Sequence, residues 1–545
     1  MHAIHERAAK GYPGKLTAAN LIAAPAYGGE DAPPYRRGKV IVTLGPGCNT
    51  REAIAQMLTD GVDAFRIMMA KATNEENLRL FNLVREVADE QKKFVPIIAS
   101  LQGPKFRIAR FPDDNVISLQ EGQEITFCHC RDQTCGKPNT ICINDDIVFT
   151  ELAVGDELVF RHAKLVIQVT AIASTKDSCV ATVLTRGSTR VTGGSSFRVA
   201  TKFTTLAPLT DVDYGHLDFI AEKMPVDWIC LSHINTLQDI RIVESYLESL
   251  EKRHPGFAAR ILMKVETALA VSNLRETIKH VDGVIVARGA LCEEMELGYV
   301  PVAQKTIIGI AREFGKPSYV ASSVCDSMYD NIIPTRAEVS DVNNALADGC
   351  DGLVLCRETA IGEFAIQAAR YLIEIVTATE TDPLDATYCG KLLSDGHGHG
   401  SPQPTLGPFI AQDGISISAV AMAKSLKAKC ICVFSIKGGS ALRLVRQRPG
   451  VPIIVFTAAP SAARWMSMLW GVKVFVVQRL KGVCLVKAVC DEILPTLGFV
   501  EKGDHVVLIA GSFLDASANP ESIGVIHRGT NHIVAHKVGF GACSK

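Results

Sequence analysis

The chain has 545 residues, 47% hydrophobic, 21% charged and 6% aromatic, which is apolar material for three or four folding units and excludes wholesale disorder. Fifty-seven Lys and Arg against 58 Asp and Glu leave a net charge of −1, which excludes the global cationic field of a nucleic-acid binder. Seventeen cysteines, odd in number and irregularly spaced, suit free thiols in a reducing compartment, and no apolar run reaches the roughly 20 residues of a bilayer span.

These features predict a cytoplasmic protein with no nucleic-acid or membrane partner. Residues 1–37 read as an N-terminal extension, an unstructured tail. Its bases Arg7, Lys10 and Lys15, with only Glu6 as an acid before Glu30, leave a mitochondrial or other organelle address as the alternative. From Lys39 onward, short apolar runs alternate with longer amphipathic stretches, the pattern of a parallel sheet with crossover helices. Eight runs are expected as strands: Lys39 to Leu44, Ala64 to Met68, Val95 to Ser100, Trp228 to Ser232, Ile261 to Glu266, Gly283 to Arg288, Ser318 to Ser322 and Gly352 to Arg357. Eight is the number that closes a (β/α)8 barrel, here assigned to 38–107 and 206–384. Most of the runs end near a polar residue, where barrel enzymes carry their chemistry.

The interval 108–205 interrupts the barrel with Val-, Thr- and Gly-rich alternation, as in Asp156 to Phe160 and Ala163 to Thr170, and reads as an inserted all-β domain, which the family resemblance given below makes a β-barrel lid. Residues 385–405, rich in Gly, His and Pro, form a linker. Beyond it, 406–545 is a C-terminal α/β domain with strands at Cys430 to Phe434, Pro452 to Thr457, Val472 to Val477 and His505 to Ala510, which the same resemblance makes regulatory in type. No short internal repeat is visible.

Period-two alternation puts Lys264 and Glu266 on one side of their strand, close to its C-terminal end. An ammonium beside a carboxylate is either a partly buried ion pair or a site in which Lys264 binds phosphate and Glu266 holds Mg²⁺. Arg66 lies near the end of another run, and Arg107 follows Gly103 and Pro104, so two more cations suited to phosphate oxygens could converge on the barrel mouth. In the C-terminal domain, Ser435, Lys437, Gly438, Gly439 and Ser440 lie between a strand and a helix. They make either an ordinary glycine turn or a loop whose amides cradle a phosphate. Cys128, Cys130, Cys135 and Cys142, beside His129, fit no standard zinc spacing and read as thiols on lid strands.

Several motifs carry a resemblance. They are Lys39-Val-Ile-Val-Thr-Leu-Gly-Pro46, Gln102-Gly-Pro-Lys-Phe-Arg107, Lys264-Val-Glu266, Ala287-Arg-Gly289, Gly315-Lys-Pro317, Asp326-Ser-Met328, Pro334-Thr-Arg-Ala-Glu338 and Glu358-Thr-Ala360. In this order, from about Gly38 to the C-terminus, the chain resembles the pyruvate kinase family. The resemblance implies a barrel, a lid and a regulatory domain, assembled as a homotetramer. It also implies the glycolytic transfer of a phosphoryl group from phosphoenolpyruvate to ADP, giving pyruvate and ATP, with Mg²⁺ and often K⁺. By this resemblance Lys264 stabilises charge on the phosphoryl group and the enolate, Glu266 holds the metal, and Arg66 and Arg107 contact phosphates, Arg107 on the nucleotide side. Amides near Gly289 and Ala290 take the substrate carboxylate, and Ser322 replaces a threonine associated with proton delivery.

The chain also departs from the family pattern. Ala290 stands where the family has its second metal-binding carboxylate, and Cys292 where it has a glycine. Glu293 and Glu294 are nearby but in no register that fills the lost position. Met68, Ala70 and the pair Ser100-Leu101 replace oxygen-bearing residues of the K⁺ site, while Lys105 matches members in which an ammonium substitutes for K⁺. Lys71, Ser323, Val324 and Arg357 are further replacements around the pocket, and Gly439 replaces an arginine often found in the effector loop. The expectation is therefore a pyruvate kinase-like protein with a weakened Mg²⁺ site, no K⁺ requirement, and weak or lost activity. Two alternatives are a fully active K⁺-independent enzyme and a non-catalytic structural or regulatory homologue within an assembly.

Overall fold

Runs such as Val40-Ile-Val42 and Val284-Ile-Val286 are β-branched and apolar on both faces, so they are stable only as strands covered from both sides. The computed structural model describes residues 21–23, 35–104, 106–109, 111, 116–129, 139–143, 147–160, 165–199, 207–381, 411–477, 493–511 and 531–537. Eight parallel strands close a barrel: β1 (Lys39–Thr43), β2 (Ala64–Met68), β3 (Ile97–Ser100), β4 (Trp228–Leu231), β5 (Arg260–Val265), β6 (Gly283–Ala287), β7 (Ser318–Ala321) and β8 (Gly352–Leu355). They follow the expected runs to within two residues. The polar residues Ser232, Glu266, Arg288, Ser322 and Arg357 fall just past the last laddered residue, free of the sheet.

The helices around the barrel start at identifiable caps. Thr210 with Asp213, Thr236 with Asp239, and Thr335 with Glu338 each form a reciprocal capping box. The motif Pro334-Thr-Arg-Ala-Glu338 is thus a helix-start device, in which Glu338 also accepts from the Ser327 N–H at 2.8 Å.

A repeat that the sequence did not reveal is visible at the N-terminal end of the barrel. Asp63, Asp227, Asp282 and Asp351 each precede an even-numbered strand and follow Val or Cys. Each accepts a backbone N–H from the neighbouring odd-numbered strand: Val40 at 2.8 Å, Ile97 at 2.9 Å, Ile261 at 2.9 Å and Ser318 at 2.8 Å. Each is also ion-paired, to Arg36, to Arg85 with Arg464, to Arg260 and to Arg448 respectively. The signal is two residues long and spread over nearly 300 positions, too short to register as a repeat.

The lid has a six-stranded sheet (Glu124–His129, Thr140–Ile143, Glu157–Phe160, Leu165–Ile172, Ser178–Val183, Arg198–Val199) and a two-stranded ribbon (Val116–Gln120, Ser188–Thr192). Both enclose one core that includes Phe127, Phe149, Phe160 and Ile167. Cys128 and Cys142 face each other across a parallel strand pair. Cys142 is disulfide-bonded to a partner outside the described residues, so the expectation of free thiols does not hold there.

The C-terminal sheet runs Leu21–Ala23, Val472–Val477, Ile453–Thr457, Cys430–Phe434, His505–Gly511, Asn531–Lys537, parallel at its centre with antiparallel edges. Both edge strands were missed. Leu21–Ala23 lies in the segment read as an unstructured tail, and Asn531–Lys537 carries three bases among few apolar residues. The linker 385–405 lies outside the described residues. This domain stoppers the N-terminal end of the barrel. Trp465 meets Trp228 edge-on at 6.5 Å, Tyr319 donates to the Met468 carbonyl at 2.9 Å, and Lys39 Nζ donates to the Val472 carbonyl at 3.1 Å. The opposite end, where the strands terminate, is not covered by this domain among the described residues.

Candidate active site at the barrel mouth

Inward-facing positions in the upper half of the barrel change from apolar to polar. Below lie Ile41, Ala64, Ile98, Leu262 and Ile285, all fully buried. Above them are Thr43, Arg66, Ser100, Cys230 and Lys264. Lys264 Nζ donates to Glu266 Oε1 at 3.2 Å, with the side chains 12% and 3% exposed. The other oxygen of Glu266 accepts the His233 N–H at 2.8 Å, and His233 is held at φ +57° to present it. Both carboxylate oxygens of Glu266 are therefore engaged.

Arg66 is the third residue of β2, deeper than the strand end the sequence suggested, and is 6% exposed. It donates from Nε to Thr43 Oγ1 at 3.0 Å and from Nη2 to Cys356 Sγ at 3.3 Å. Thr43 in turn donates to the Leu355 carbonyl at 2.6 Å, which fixes its lone pairs toward Arg66. The Cys230 thiol is buried within electrostatic reach of Lys264, Arg66 and Glu266, which gathers these groups around one point; burial raises its pKa. Arg107 joins them at the lid hinge, where it donates to the Gly194 carbonyl at 3.1 Å. Burial lowers its pKa, and the carboxylates of Glu293 and Glu266 partly offset that.

On the opposite wall, Ser322 and Ser323 take φ of +74° and +53°, conformations costly to a side chain unless the surroundings hold them. Arg288 holds them. Its guanidinium donates to the Ser322 carbonyl at 3.1 and 2.8 Å and to the Ser323 carbonyl at 3.0 Å, and is anchored on Asp341 at 2.6 Å. The helix Arg288–Glu294 passes beside this turn, and a Cβ on Gly289 would sit 3.2 Å from Ser322 Oγ, so a side chain there would press on the serine. Ala290 follows, half-buried and with no oxygen on its side chain. Thr43, Cys356 and His233 were not anticipated as site residues, and Arg288 was marked only as a polar strand end and motif residue, without this bracing role.

Other expected residues fall elsewhere. Arg357 turns to the rim, paired with Asp326 at 2.5 and 2.8 Å and stacked over Tyr329. Lys105 lies outside the described residues. In the C-terminal loop, Ser435 is buried and its hydroxyl accepts the Gly438 N–H at 3.0 Å, so it braces the loop. Gly438 has φ +80° with the Trp465 ring directly beneath, while Lys437 is exposed and Gly439 and Ser440 half-exposed at the start of helix Gly439–Arg446.

The geometry defines a stoppered (β/α)8 barrel whose open end gathers the cations Arg66, Lys264 and Arg107 about Glu266. Comparison with known proteins gives its family. Residues 35–369 match the family model for the pyruvate kinase barrel domain, and 413–526 the model for the pyruvate kinase alpha/beta domain. The pyruvate kinase of Mycobacterium intracellulare is 30% identical over 505 residues, covering 92% of this chain and 99% of that one. That of Methylorubrum extorquens is 30% identical over 476 residues, covering 87% and 94%. In fold, the crystal structure of a pyruvate kinase from Cryptosporidium parvum superposes with a TM-score of 0.79 at 24% identity, covering 93% of this chain and 97% of that one. The chain belongs to the pyruvate kinase family.

That family uses Mg²⁺ and K⁺. The residues at this mouth do not fit a two-carboxylate magnesium seat. Glu266 supplies one carboxylate, whose oxygens already accept from Lys264 and His233, Ala290 offers a methyl group, and among the described residues no group of three or more His, Cys, Asp or Glu side chains is disposed to hold a metal.

Proposed function

We propose that this chain is a pyruvate kinase homologue that recognises phosphoenolpyruvate but whose transfer of the phosphoryl group to ADP is weak or lost. The observation that carries this is that Glu266 stands with no oxygen on residue 290 to share a divalent ion, while its own oxygens already accept from Lys264 and His233. Magnesium is held through few charged oxygens and ligand phosphates, so losing one of two protein carboxylates weakens it directly. The retained groups divide as the family resemblance suggests. Lys264 and Arg66 face the phosphoryl group, Arg107 the nucleotide side, the Gly289 and Ala290 amides the carboxylate, and Ser322 the enolate carbon.

The same reading has Lys105 standing in for K⁺, with Ser435, Lys437, Gly438, Gly439 and Ser440 taking a phosphorylated effector weakly. It also has the chain assembling as a homotetramer. Exposed Leu297, Tyr299, Val302, Ile332 and Ile333 support self-association, and a mass measurement in solution tests it.

The deciding experiment measures pyruvate release from phosphoenolpyruvate and ADP across Mg²⁺ and Mn²⁺ titrations, for wild type and Ala290→Asp. The expected result is little or no wild-type turnover and a rate at least about tenfold higher in the variant. Robust wild-type turnover without added K⁺ would instead support a fully active K⁺-independent enzyme. No turnover in either protein would leave the non-catalytic, assembly-bound homologue.

A further inference from the structure

We infer that the barrel mouth binds its ligand, a small carboxylate bearing a phosphate ester, without any divalent cation. This goes beyond the proposed function but stands on its assignment of the mouth as the phosphoenolpyruvate site. The first observation is Arg66. Its guanidinium is permanently charged and 6% exposed, yet its partners are a hydroxyl and a thiol, and among the described residues no carboxylate pairs with it. A buried cation with neutral partners is costly unless a counter-charge arrives, and the open barrel end admits one.

The second observation is the state of Glu266. To recruit a metal it has only the lone pairs left beside its contacts to the Lys264 ammonium at 3.2 Å and the His233 N–H at 2.8 Å, and Ala290 has no oxygen to join them. Charge counting points the same way. Lys264, Arg66 and Arg107 face two carboxylates, Glu266 and Glu293, so the described groups leave one positive charge in excess. An aspartate at 290 would cancel that excess and weaken the pull of the empty mouth on an anion until a metal entered. The substitution that weakens the metal seat is therefore the one that lets the anion bind directly on Arg66, Lys264 and Arg107. Arginine forks match both phosphate and carboxylate oxygens.

The test is isothermal titration of the full-length protein with phosphoenolpyruvate, once in excess EDTA and once in excess Mg²⁺. Wild type should bind in both, with dissociation constants agreeing within about threefold. Ala290→Asp should bind at least about tenfold more weakly in EDTA and recover in Mg²⁺. Arg66→Met, checked for folding by its melting curve, should lose binding in both buffers. Wild-type binding seen only with Mg²⁺, or Ala290→Asp binding as tightly as wild type in EDTA, overturns the inference and leaves the ligand assignment standing. No binding in either buffer overturns both.

Discussion

The two ends of the barrel treat buried charge in opposite ways. At the stoppered end, four aspartates each take a backbone N–H from the adjacent strand and at least one cation. Charge and counter-charge there are both supplied by the chain. At the open end, Glu266 is shared between Lys264 and a backbone N–H, while buried Arg66 donates, among the described residues, to Thr43 and Cys356. A closed ionic arrangement holds strands in register. One left open to a cleft holds charge in reserve for something that is not protein.

Three changes sharpen or break this contrast. The largest effect is expected from Asp227→Asn, which strips the shared carboxylate from Arg85 and Arg464, both paired at 2.7 Å. It should lower unfolding free energy by about 3–5 kcal/mol in urea titrations while leaving phosphoenolpyruvate affinity unchanged. A loss below about 1 kcal/mol would mean the stoppered end is no ionic scaffold.

Next is the double change Lys264→Met with Glu266→Gln, which removes both charges of the mouth pair and strands neither. Folding stability should hold or rise by about 1–2 kcal/mol in melting experiments, while phosphoenolpyruvate binding falls at least about tenfold in calorimetry. A destabilised protein with intact binding would place the pair among the structural ones.

The smallest effect is expected from Glu358→Gln. Glu358 is fully buried; burial raises its pKa above the ordinary carboxylate value, and nearby Asp326 adds to this. Oε2 accepts the Cys356 N–H at 2.9 Å, a contact that the carbonyl oxygen of glutamine keeps. With the folded pKa above the unfolded one, the stability owed to the protonated form is complete below the unfolded value and is lost as pH rises through the folded value. The variant should thus exceed wild type by about 1 kcal/mol at neutral pH, and melting curves should converge toward pH 4. An advantage that grew on acidification would refute the assignment.

Much of the fold was legible because its signals are local. Eight β-branched runs spaced by amphipathic stretches leave few topologies, and the strands formed where those runs lie. Lys264 and Glu266 were legible for the same reason, since two residues on one strand face must meet. Arg288 was legible only as a polar strand end. Its work is to hold the Ser322–Ser323 turn 34 residues away, and no pattern in the chain announces a backbone acceptor on another strand. The strand at Leu21–Ala23 was hidden because its stability comes from pairing with Val476 and Val477, not from its own three residues.

By itself, then, the order of residues determined the barrel, the lid and the C-terminal sheet, along with the absence of a carboxylate at position 290, because hydrophobic period and side-chain chemistry are properties of the chain. Only the tertiary structure decided that Glu266 is shared between Lys264 and the His233 N–H and that Arg66 is buried beside neutral partners. It also decided that one barrel end is closed by Trp465 and its neighbours. Each of these depends on which distant groups come within a few ångströms, and burial alone turns such a meeting into an energetic demand.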